Sequence, residues 1–565
     1  MVDNGPFLVH VAVMSMLVPA SLSLAHLGEV WRARSALEAR PQVKMQNNME
    51  IQTATAMAQS LMQKMDLDDR LDLLHGRGIA GLDTQRKHIS SRDVYHIHGV
   101  EGAYVGNTLG NVDLGIPPLH LNDGSQGFRD EKNPGTTTAF PCSLAAAATW
   151  NPKAVESLGK AIGTEFRDKG ANVLLGPGVN VARVPYNGRN FEYISGEDPY
   201  LGFKLAAPLI KGIQSKGVLA TVKHWVNNNQ ETDRFDMNAV VSERTRFEMY
   251  YPPFLGAIQA GVASVMCGYN KINGFYACEN NQTLRSDLRE QLGFDGWVMS
   301  DWIATHTVEA IQKGLDQEMP DGDFFGAPLR KRVAVLEQHA DDDDDHDDNA
   351  RAFTSTSKLN KTDAISGKMI ERSVLRILTQ MFKVGVMADS KDGKTAFDVF
   401  NNPDKINRNV TRPEHVDLAR RMAADSTILL KNDKQALPLP KRVHEGERKT
   451  LEDHGKKPTI AVVGRASDSG WGQRNCEGRS EEHRHPIPRY LRFPEEVGEP
   501  PKQLKGFERV FLQPGKAEDI EIRLTKRDIS IFSETAHSWQ IVRGKFEVMV
   551  GASSKDIKLR ANIVL

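Results

Sequence analysis

Residues 296–302 read Gly-Trp-Val-Met-Ser-Asp-Trp, a short apolar run that ends in Ser300 and Asp301. The run is too short for a helix and follows a glycine, so it predicts a buried strand. An aspartate directly after such a strand either caps the next helix or stands at the sheet edge where ligands bind. This stretch therefore predicts both a strand of a covered sheet and a candidate functional carboxylate.

Four more apolar runs precede this one, at Leu119–Leu121, Val173–Leu175, Leu219–Val222 and Ala263–Met266. Helical patterns separate them, at Lys153–Lys169, Leu201–Lys216, Glu243–Gly261 and Thr283–Leu292. Strand–helix alternation over this length predicts a parallel sheet with covering helices, either an open sheet or a barrel. Polar residues follow four of the five runs, as the strand ends of a barrel enzyme require: Asp123, Lys223-His224, Tyr269 and Asp301.

The composition excludes several classes of protein. The chain has 565 residues, with 72 Lys plus Arg against 73 Asp plus Glu and a net charge of −1. No overall basic field is present to hold nucleic acid or an anionic membrane. Four Cys in this length exclude a disulfide scaffold. No spacing of His, Cys and Asp matches a metal site and no dinucleotide or phosphate loop is found, so no metal or cofactor is expected.

Two segments stand outside the globular pattern. Phe7–Ala25 carries no Asp, Glu, Lys or Arg and has small residues at a cleavage position, so residues 1–25 are predicted to be a signal peptide of a secreted protein. An uncleaved anchor and a mis-called start of the chain are the alternatives. Residues 26–54 read as a polar leader. Asp341–Asp348 reads DDDDDHDD inside an insertion at 338–363, which we interpret as solvated and disordered rather than as a cation-binding loop.

The remainder of the chain changes texture. Glu371–Lys383 and Val416–Leu430 have helical patterns, and Thr459–Gly464 reads as one buried strand that ends in a glycine turn. After Pro500 apolar residues alternate with polar ones, as in a small β-sandwich.

Five motifs in order then identify a family. They are Leu121-Asn-Asp-Gly-Ser-Gln-Gly-Phe-Arg129, Gly188-Arg-Asn-Phe-Glu192 with Glu197-Asp-Pro-Tyr-Leu-Gly202, Lys223-His224, Met266-Cys-Gly-Tyr-Asn270, and Gly296–Trp302. Together they resemble glycoside hydrolase family 3, most closely its secreted β-glucosidases. The resemblance covers about residues 55–440, and Gly506–Leu565 resembles the end of the family's fibronectin type III-like domain. It implies an α/β fold: a (β/α)8-type barrel, a fragment of an open α/β sheet domain and a partial fibronectin type III-like β-sandwich.

The domain boundaries follow from the same resemblance. We expect the barrel at 55–395, a linker at 396–440, a truncated α/β sandwich domain at 441–487 and the partial fibronectin type III-like domain at 488–565. Only about forty residues separate Gly464 from Lys505, whereas an open α/β domain takes on the order of 100 to 200.

The resemblance also assigns roles to residues. Asp301 is the expected nucleophile of a retaining glycosidase, in which a second carboxyl group acts as acid/base. Asp123 would accept hydrogen bonds from sugar hydroxyls, and Glu192 and Glu248 would lie behind the site. The remaining expected substrate-binding residues are Arg129, Arg189, Lys223, His224, Met266, Tyr269 and Trp302. Taken alone, Asp123 could belong to a plain turn, and Lys223-His224 could be a buried polar pair.

The acid/base is the residue that the sequence does not identify. Relatives take it from the open α/β domain, and here only Glu477 is a weak candidate. Without a general acid, roughly 10²- to 10⁴-fold in rate is at risk.

Two cysteines and three sequons complete the candidates. Cys267 and Cys278 either form a disulfide, as a similar pair does in secreted relatives, or remain buried thiols. Asn281, Asn360 and Asn409 begin glycosylation sequons.

The sequence therefore predicts a secreted β-glucosidase that releases terminal β-D-glucose from β-linked gluco-oligosaccharides or from aryl and alkyl β-glucosides. Two alternatives remain: a β-xylosidase of the same family, and a catalytically deficient sugar-binding remnant or mis-assembled gene product. No nucleic acid is expected as a partner, and no membrane beyond the possible signal anchor.

Overall fold

A computed structural model describes most of the barrel and of the C-terminal β-domain. The described residues are 6–7, 10–13, 43–77, 104–130, 132–333, 365–388, 394–400, 402–433, 485–510, 518–521 and 523–565. The acidic insertion, most of the predicted signal peptide, the Thr459–Gly464 strand, Cys476, Glu477 and the Asn360 sequon lie outside these residues.

A six-stranded sheet forms the centre of the first domain. Its strands, in chain order, are β1 (Gly106–Asn107), β2 (His120–Asp123), β3 (Val173–Leu175), β4 (Leu219–Trp225), β5 (Ser264–Cys267) and β6 (Trp297–Ser300). The sheet order is β6-β5-β4-β3-β2-β1, with β2 to β6 parallel and β1 antiparallel to β2. The five apolar runs of the sequence correspond to the five parallel strands.

Single bridges continue this sheet into a ring. Beyond β6, Met299 pairs with Gln317 and Glu318 pairs with His75, both in parallel orientation. The backbone N–H of Arg77 then donates to the carbonyl of Asn107 in β1, at 2.9 Å. Eight short segments therefore close a barrel, and the carboxyl ends of its parallel strands converge on one rim.

Helices cover the barrel, and local signals set their ends. In helix Pro152–Asp168 the Asn151 side chain accepts the N–H of Ala154, and Pro152 occupies the first turn, where a missing N–H costs nothing. The other helices of this domain are Val43–Met62, Leu67–Leu74, Ser143–Ala148, Pro199–Gln214, Glu243–Thr245, Pro252–Gln259, Ala310–Lys313 and Gly367–Val384, with π-helical Arg246–Tyr250 and Gln282–Gln291. Short 3₁₀ turns lie at Asn190–Glu192 and Ala277–Glu279, and short strands lie at Asn238–Ala239, Lys271–Ile272 and Phe275–Tyr276.

One helix that the sequence predicts as continuous is interrupted in the structure. The expected helix Glu243–Gly261 is divided into a π-helical segment that ends at Tyr250 and a helix that begins at Pro252. Pro252 and Pro253 cannot donate backbone hydrogen bonds to the preceding turn, so they end one helix and start the next.

The segment after the barrel packs back onto it. Helix Ala396–Phe400, the turn Pro403–Lys405 and helix Pro413–Ser426 lie in this segment. His415 Nδ1 is 2.7 Å from the buried Glu165 carboxylate. The buried Lys169 ammonium donates to Asp130, Thr136 and the carbonyl of Ile406 at 2.7–2.8 Å. These buried polar contacts fix the segment to the barrel at Ile406 and His415.

The C-terminal domain is an antiparallel β-structure. Its main sheet has the order Gln503–Val510, His485–Arg492, Lys545–Gly551, Ile557–Val564, and a hairpin joins Ser530–Ser533 to Ser538–Ile541. Leu491, Phe546 and Val548 belong to its core. Short turns at Glu495–Val497 and Lys526–Ile529 complete it. Strands Glu518–Glu521 and Leu524–Thr525 pair with His10–Val13 and Pro6–Phe7, which fall inside the predicted signal peptide.

Two aromatic contacts and an ionic cluster join the two domains. Phe532 stacks on Phe247 with ring centroids 4.0 Å apart, and Trp150 meets Phe507 edge-on at 5.1 Å. Arg244 bonds Glu499 of the C-terminal domain. The architecture is an α/β barrel followed by a β-sandwich, which confirms the predicted fold class. Within the described residues, no helix is long and apolar enough to span a bilayer.

Candidate active site

Asp301 lies at the carboxyl end of β6, on the rim where the parallel strands converge. Its side chain is 10% exposed. Oδ1 accepts the backbone N–H of Trp302 at 2.9 Å. Oδ2 lies 3.4 Å from Nε2 of His224 and forms no well-aligned hydrogen bond with any described residue. One carboxylate oxygen is therefore held in place while the other remains available to react.

The charges around Asp301 oppose its desolvation. Burial raises the pKa of Asp301 above its ordinary value, and the charge of Lys223 and hydrogen bonding from Tyr269 counteract that rise, with smaller help from Arg189. In a closed pocket such fixed groups replace the water that would solvate a carboxylate. The neighbouring charges therefore offset part of the cost of burial and support the ionised form that a nucleophile needs.

His224 lies between Asp301 and Arg189. Its Nε2 is 3.4 Å from Nη2 of Arg189, and its Nδ1 is 3.3 Å from the hydroxyl of Tyr193. Burial lowers the pKa of His224 well below the ordinary value, and the charges of Arg189 and Lys223 lower it further. His224 is therefore a neutral imidazole, which can exchange hydrogen bonds with a sugar without adding charge.

Asp123, at the carboxyl end of β2, faces two cations. Its carboxylate accepts from Lys223 Nζ at 3.4 Å and from Arg129 Nη1 at 3.3 Å. Burial by itself would raise the pKa of Asp123, but Lys223 and Arg129 lower it below the ordinary range. Asp123 is thus an ionised acceptor at the rim, and Lys223 links it electrostatically to Asp301.

Tyr269 and Trp302 follow strands β5 and β6 and place two aromatic rings at the rim. Trp302 donates its indole N–H to the carbonyl of Val105 at 3.0 Å. A Cβ added to Gly106 would lie only 2.9 Å from the Trp302 ring, so the glycine lets the strand approach it closely. Met266 is buried within β5 and belongs to the barrel core.

The loop after β4 contributes three residues that the sequence did not single out. Glu231 binds Arg234 at 2.8 Å and lies 3.6 Å from Arg189. The Arg234 guanidinium lies over the Tyr269 ring, 4.6 Å from its centroid. Phe235 meets the same ring at 4.8 Å and 64°. The signal in the sequence was the density of polar and charged residues directly after Lys223-His224.

Other predicted residues lie as follows. Cys267 and Cys278 form a disulfide with Cα atoms 5.2 Å apart, and the loop that it closes contains Tyr269. Asn281 and Asn409 are exposed. Glu192 lies behind the site, 2.6 Å from Arg189.

The structure corrects the placement of Glu248. Its carboxylate accepts from Arg244 and from the backbone N–H of Phe532, at the interface with the C-terminal domain. Its helical turn faces that domain rather than the barrel rim.

Comparison with known proteins defines the class of this chain. Residues 103–319 match the glycosyl hydrolase family 3 N-terminal domain, and residues 487–554 match the fibronectin type III-like domain. The family recognised from the motifs is thereby confirmed for the barrel region, and the chain is similar to family 3 β-glucosidases.

The relatives themselves are named β-glucosidases. One from Rhizobium radiobacter is 38% identical over 347 residues, which cover 60% of this chain and 38% of the relative. Beta-glucosidase B of Emericella nidulans is 34% identical over 417 residues, covering 73% and 42%. The chain thus spans about two fifths of the length of the curated relatives it matches.

Solved structures show the same fold. The β-D-glucoside glucohydrolase of Trichoderma reesei superimposes with a TM-score of 0.68 at 21% identity, over 91% of this chain and 99% of that chain. β-Glucosidase 3B of Thermotoga neapolitana, solved with α-D-glucose, gives 0.66 at 22%, over 90% and 99%.

Proposed function

We propose that this protein is a β-glucosidase that releases terminal β-D-glucose by a retaining double displacement, with Asp301 as nucleophile. The observation that carries the proposal is the Asp301 carboxylate: buried at a barrel strand end, fixed through Oδ1, and free at Oδ2 among the described residues. A family 3 barrel whose relatives are named β-glucosidases supports glucose as the sugar.

Two steps complete the reaction. Asp301 Oδ2 attacks the anomeric carbon, the bond from that carbon to the leaving oxygen breaks, and the leaving oxygen takes the electron pair. Water then attacks the same carbon and releases one proton to solvent, which balances the proton that the departed oxygen takes up; the bond to Asp301 breaks, and the carboxylate is regenerated as glucose departs. Neither step requires a metal or a cofactor.

The other residues of the rim hold the sugar. Asp123 accepts hydrogen bonds from hydroxyl groups, and Lys223, His224 and Arg189 offer hydrogen bonds to others; Arg129 keeps Asp123 ionised. Trp302 gives an apolar face against the ring. Charge-assisted hydrogen bonds of this kind are about twice as strong as neutral ones, which suits recognition of a neutral sugar.

The general acid decides between this function and a second one. Among the described residues, Asp123, Glu192 and Glu231 are the carboxylates linked to this site through the ion pairs given above, and each pairs with Lys or Arg. A cation-paired carboxylate stays ionised and is a poor proton donor. This observation supports a second candidate function, glucose binding without turnover, and it makes the hydrolysis rate depend on the leaving group.

The test uses a substrate that needs no acid. The purified full chain is incubated with 2,4-dinitrophenyl 2-deoxy-2-fluoro-β-glucoside, and the intact mass is measured. We expect a stable mass gain that maps to the peptide containing Asp301, and none in the variant Asp301→Asn. Dinitrophenolate leaves without a proton, so the result does not depend on which residue supplies the general acid.

Each other outcome points elsewhere. A folded chain that binds glucose but takes no label would support the sugar-binding function and contradict the enzyme. Faster labelling by the corresponding 2-fluoro-xyloside would favour a β-xylosidase.

A further inference from the structure

An exposed aromatic side chain stands over the inner wall of the site. Phe235 is 46% exposed, whereas Tyr269, on which it packs, is 7% exposed. The Tyr269 hydroxyl in turn acts on Asp301, because it lowers the pKa of that carboxylate against the effect of burial. Phe235 therefore lies on the solvent side of a residue that touches the proposed nucleophile.

Charged contacts hold the loop that carries Phe235. The Arg234 guanidinium lies 5.1 Å from the Phe235 ring centroid and 4.6 Å from that of Tyr269. Glu231 binds Arg234 and also faces Arg189, 3.6 Å away. The loop therefore contacts both Tyr269 and Arg189, and these contacts fix the position of the Phe235 ring.

We propose that Phe235 is the platform that binds the aglycone, and that it gives the protein a preference for β-glucosides with an aromatic aglycone. This inference rests on the proposed function. A glucose unit bound against the buried Asp301 must direct its leaving group toward solvent, because the carboxylate attacks from the opposite side of the anomeric carbon. A half-exposed aromatic ring beside Tyr269 offers that leaving group an apolar surface, and aromatic rings pack favourably on one another.

The arrangement also has an electrostatic side. Arg234 lies beside both rings, so an electron-rich aromatic aglycone near Phe235 would meet a guanidinium edge as well as a ring face. An alkyl aglycone would gain neither contact.

The test measures binding, so that it does not depend on the general acid. Phenyl 1-thio-β-glucoside, methyl 1-thio-β-glucoside and glucose are titrated calorimetrically into the wild-type full chain and into Phe235→Ala. In the wild type we expect the phenyl compound to bind about three- to tenfold more tightly than the methyl compound. In Phe235→Ala the ratio should fall to about one while the affinity for glucose stays unchanged.

Two further variants separate this role from general packing. Phe235→Tyr keeps the ring and should keep the ratio. Phe275→Ala removes another exposed aromatic ring, 66% exposed on the strand Phe275–Tyr276, and should leave the ratio as in the wild type.

The outcomes distinguish the two proposals. Glucose binding with an unchanged phenyl preference in Phe235→Ala, or an equal loss in Phe275→Ala, overturns the aglycone platform alone. Failure of the wild type to bind glucose and both thioglucosides overturns the proposed function, and the platform with it.

Discussion

Removal of the Tyr269 hydroxyl group tests whether Asp301 is a nucleophile or only a buried carboxylate. The Tyr269 hydroxyl favours the ionised form of Asp301, whose pKa burial raises. A hydrogen bond to a charged group contributes about 1.5–3 kcal/mol, which corresponds to roughly 10- to 150-fold in rate. We expect Tyr269→Phe to lower the rate of labelling by the fluoroglucoside by up to that factor at pH values below the pKa of Asp301.

The change in labelling rate caused by Tyr269→Phe should depend on pH in a defined direction. Asp301 must be ionised to attack, so the labelling rate falls as pH drops through its pKa. Loss of the Tyr269 hydroxyl raises that pKa further, because the ionised form loses a donor. The acidic limb of the rate profile should therefore move to higher pH in Tyr269→Phe, and the loss of rate should be largest at low pH.

Tyr276→Phe is the matched control. The Tyr276 hydroxyl donates to the exposed Asp236 at 3.3 Å, so the same atom is removed from a surface hydrogen bond. Labelling is followed by intact mass against time, from which second-order rate constants are obtained across pH. An unmoved acidic limb in Tyr269→Phe, or an equal loss in Tyr276→Phe, would refute the assignment of Asp301 as an activated nucleophile.

Two predictions concern stability. Replacing Cys267 and Cys278 with serine opens a loop of about eleven residues and should cost about 3 kcal/mol of unfolding free energy in urea, whereas Cys142→Ser should change it little. Burial raises the pKa of Glu318 from 4.5 to about 7, so its contribution to stability is present below pH 4.5 and lost as pH rises toward 7. Glu318→Gln should flatten this decline in thermal melts, and the exposed Glu290→Gln should leave it unchanged.

The sequence predicts the parallel strands well because each is a continuous apolar run between helices. It misses the segments that close the barrel, because they have no such run. Gln317 and Glu318 are polar and pair through single bridges, and Gly106–Asn107 pairs over two residues only. Closure depends on hydrogen bonds between residues far apart in the chain, which periodicity does not reveal.

The same distinction holds for the site. Asp123, Lys223, His224 and Asp301 come at or just after the ends of apolar runs, so topology brings them together once the strands are parallel. Glu231, Arg234 and Phe235 lie in an irregular loop, and only their contacts with Arg189 and Tyr269 place them near the site. For Glu248 the prediction is wrong in the other direction: it is expected behind the site, but its carboxylate accepts the backbone N–H of Phe532 in the C-terminal domain.

The charge balance of the rim explains what this barrel can do by itself. Within the described part of the chain, the carboxylates Asp123, Glu192 and Glu231 each have a cation within ion-pair distance, while the charges of Lys223 and Arg189 also act on Asp301. That arrangement stabilises an anion and opposes a neutral acid, so it suits attack on the anomeric carbon better than protonation of the departing oxygen. Substrates whose leaving groups depart as stable anions should therefore react through this site, and those that must be protonated should react only as fast as an acid from elsewhere allows.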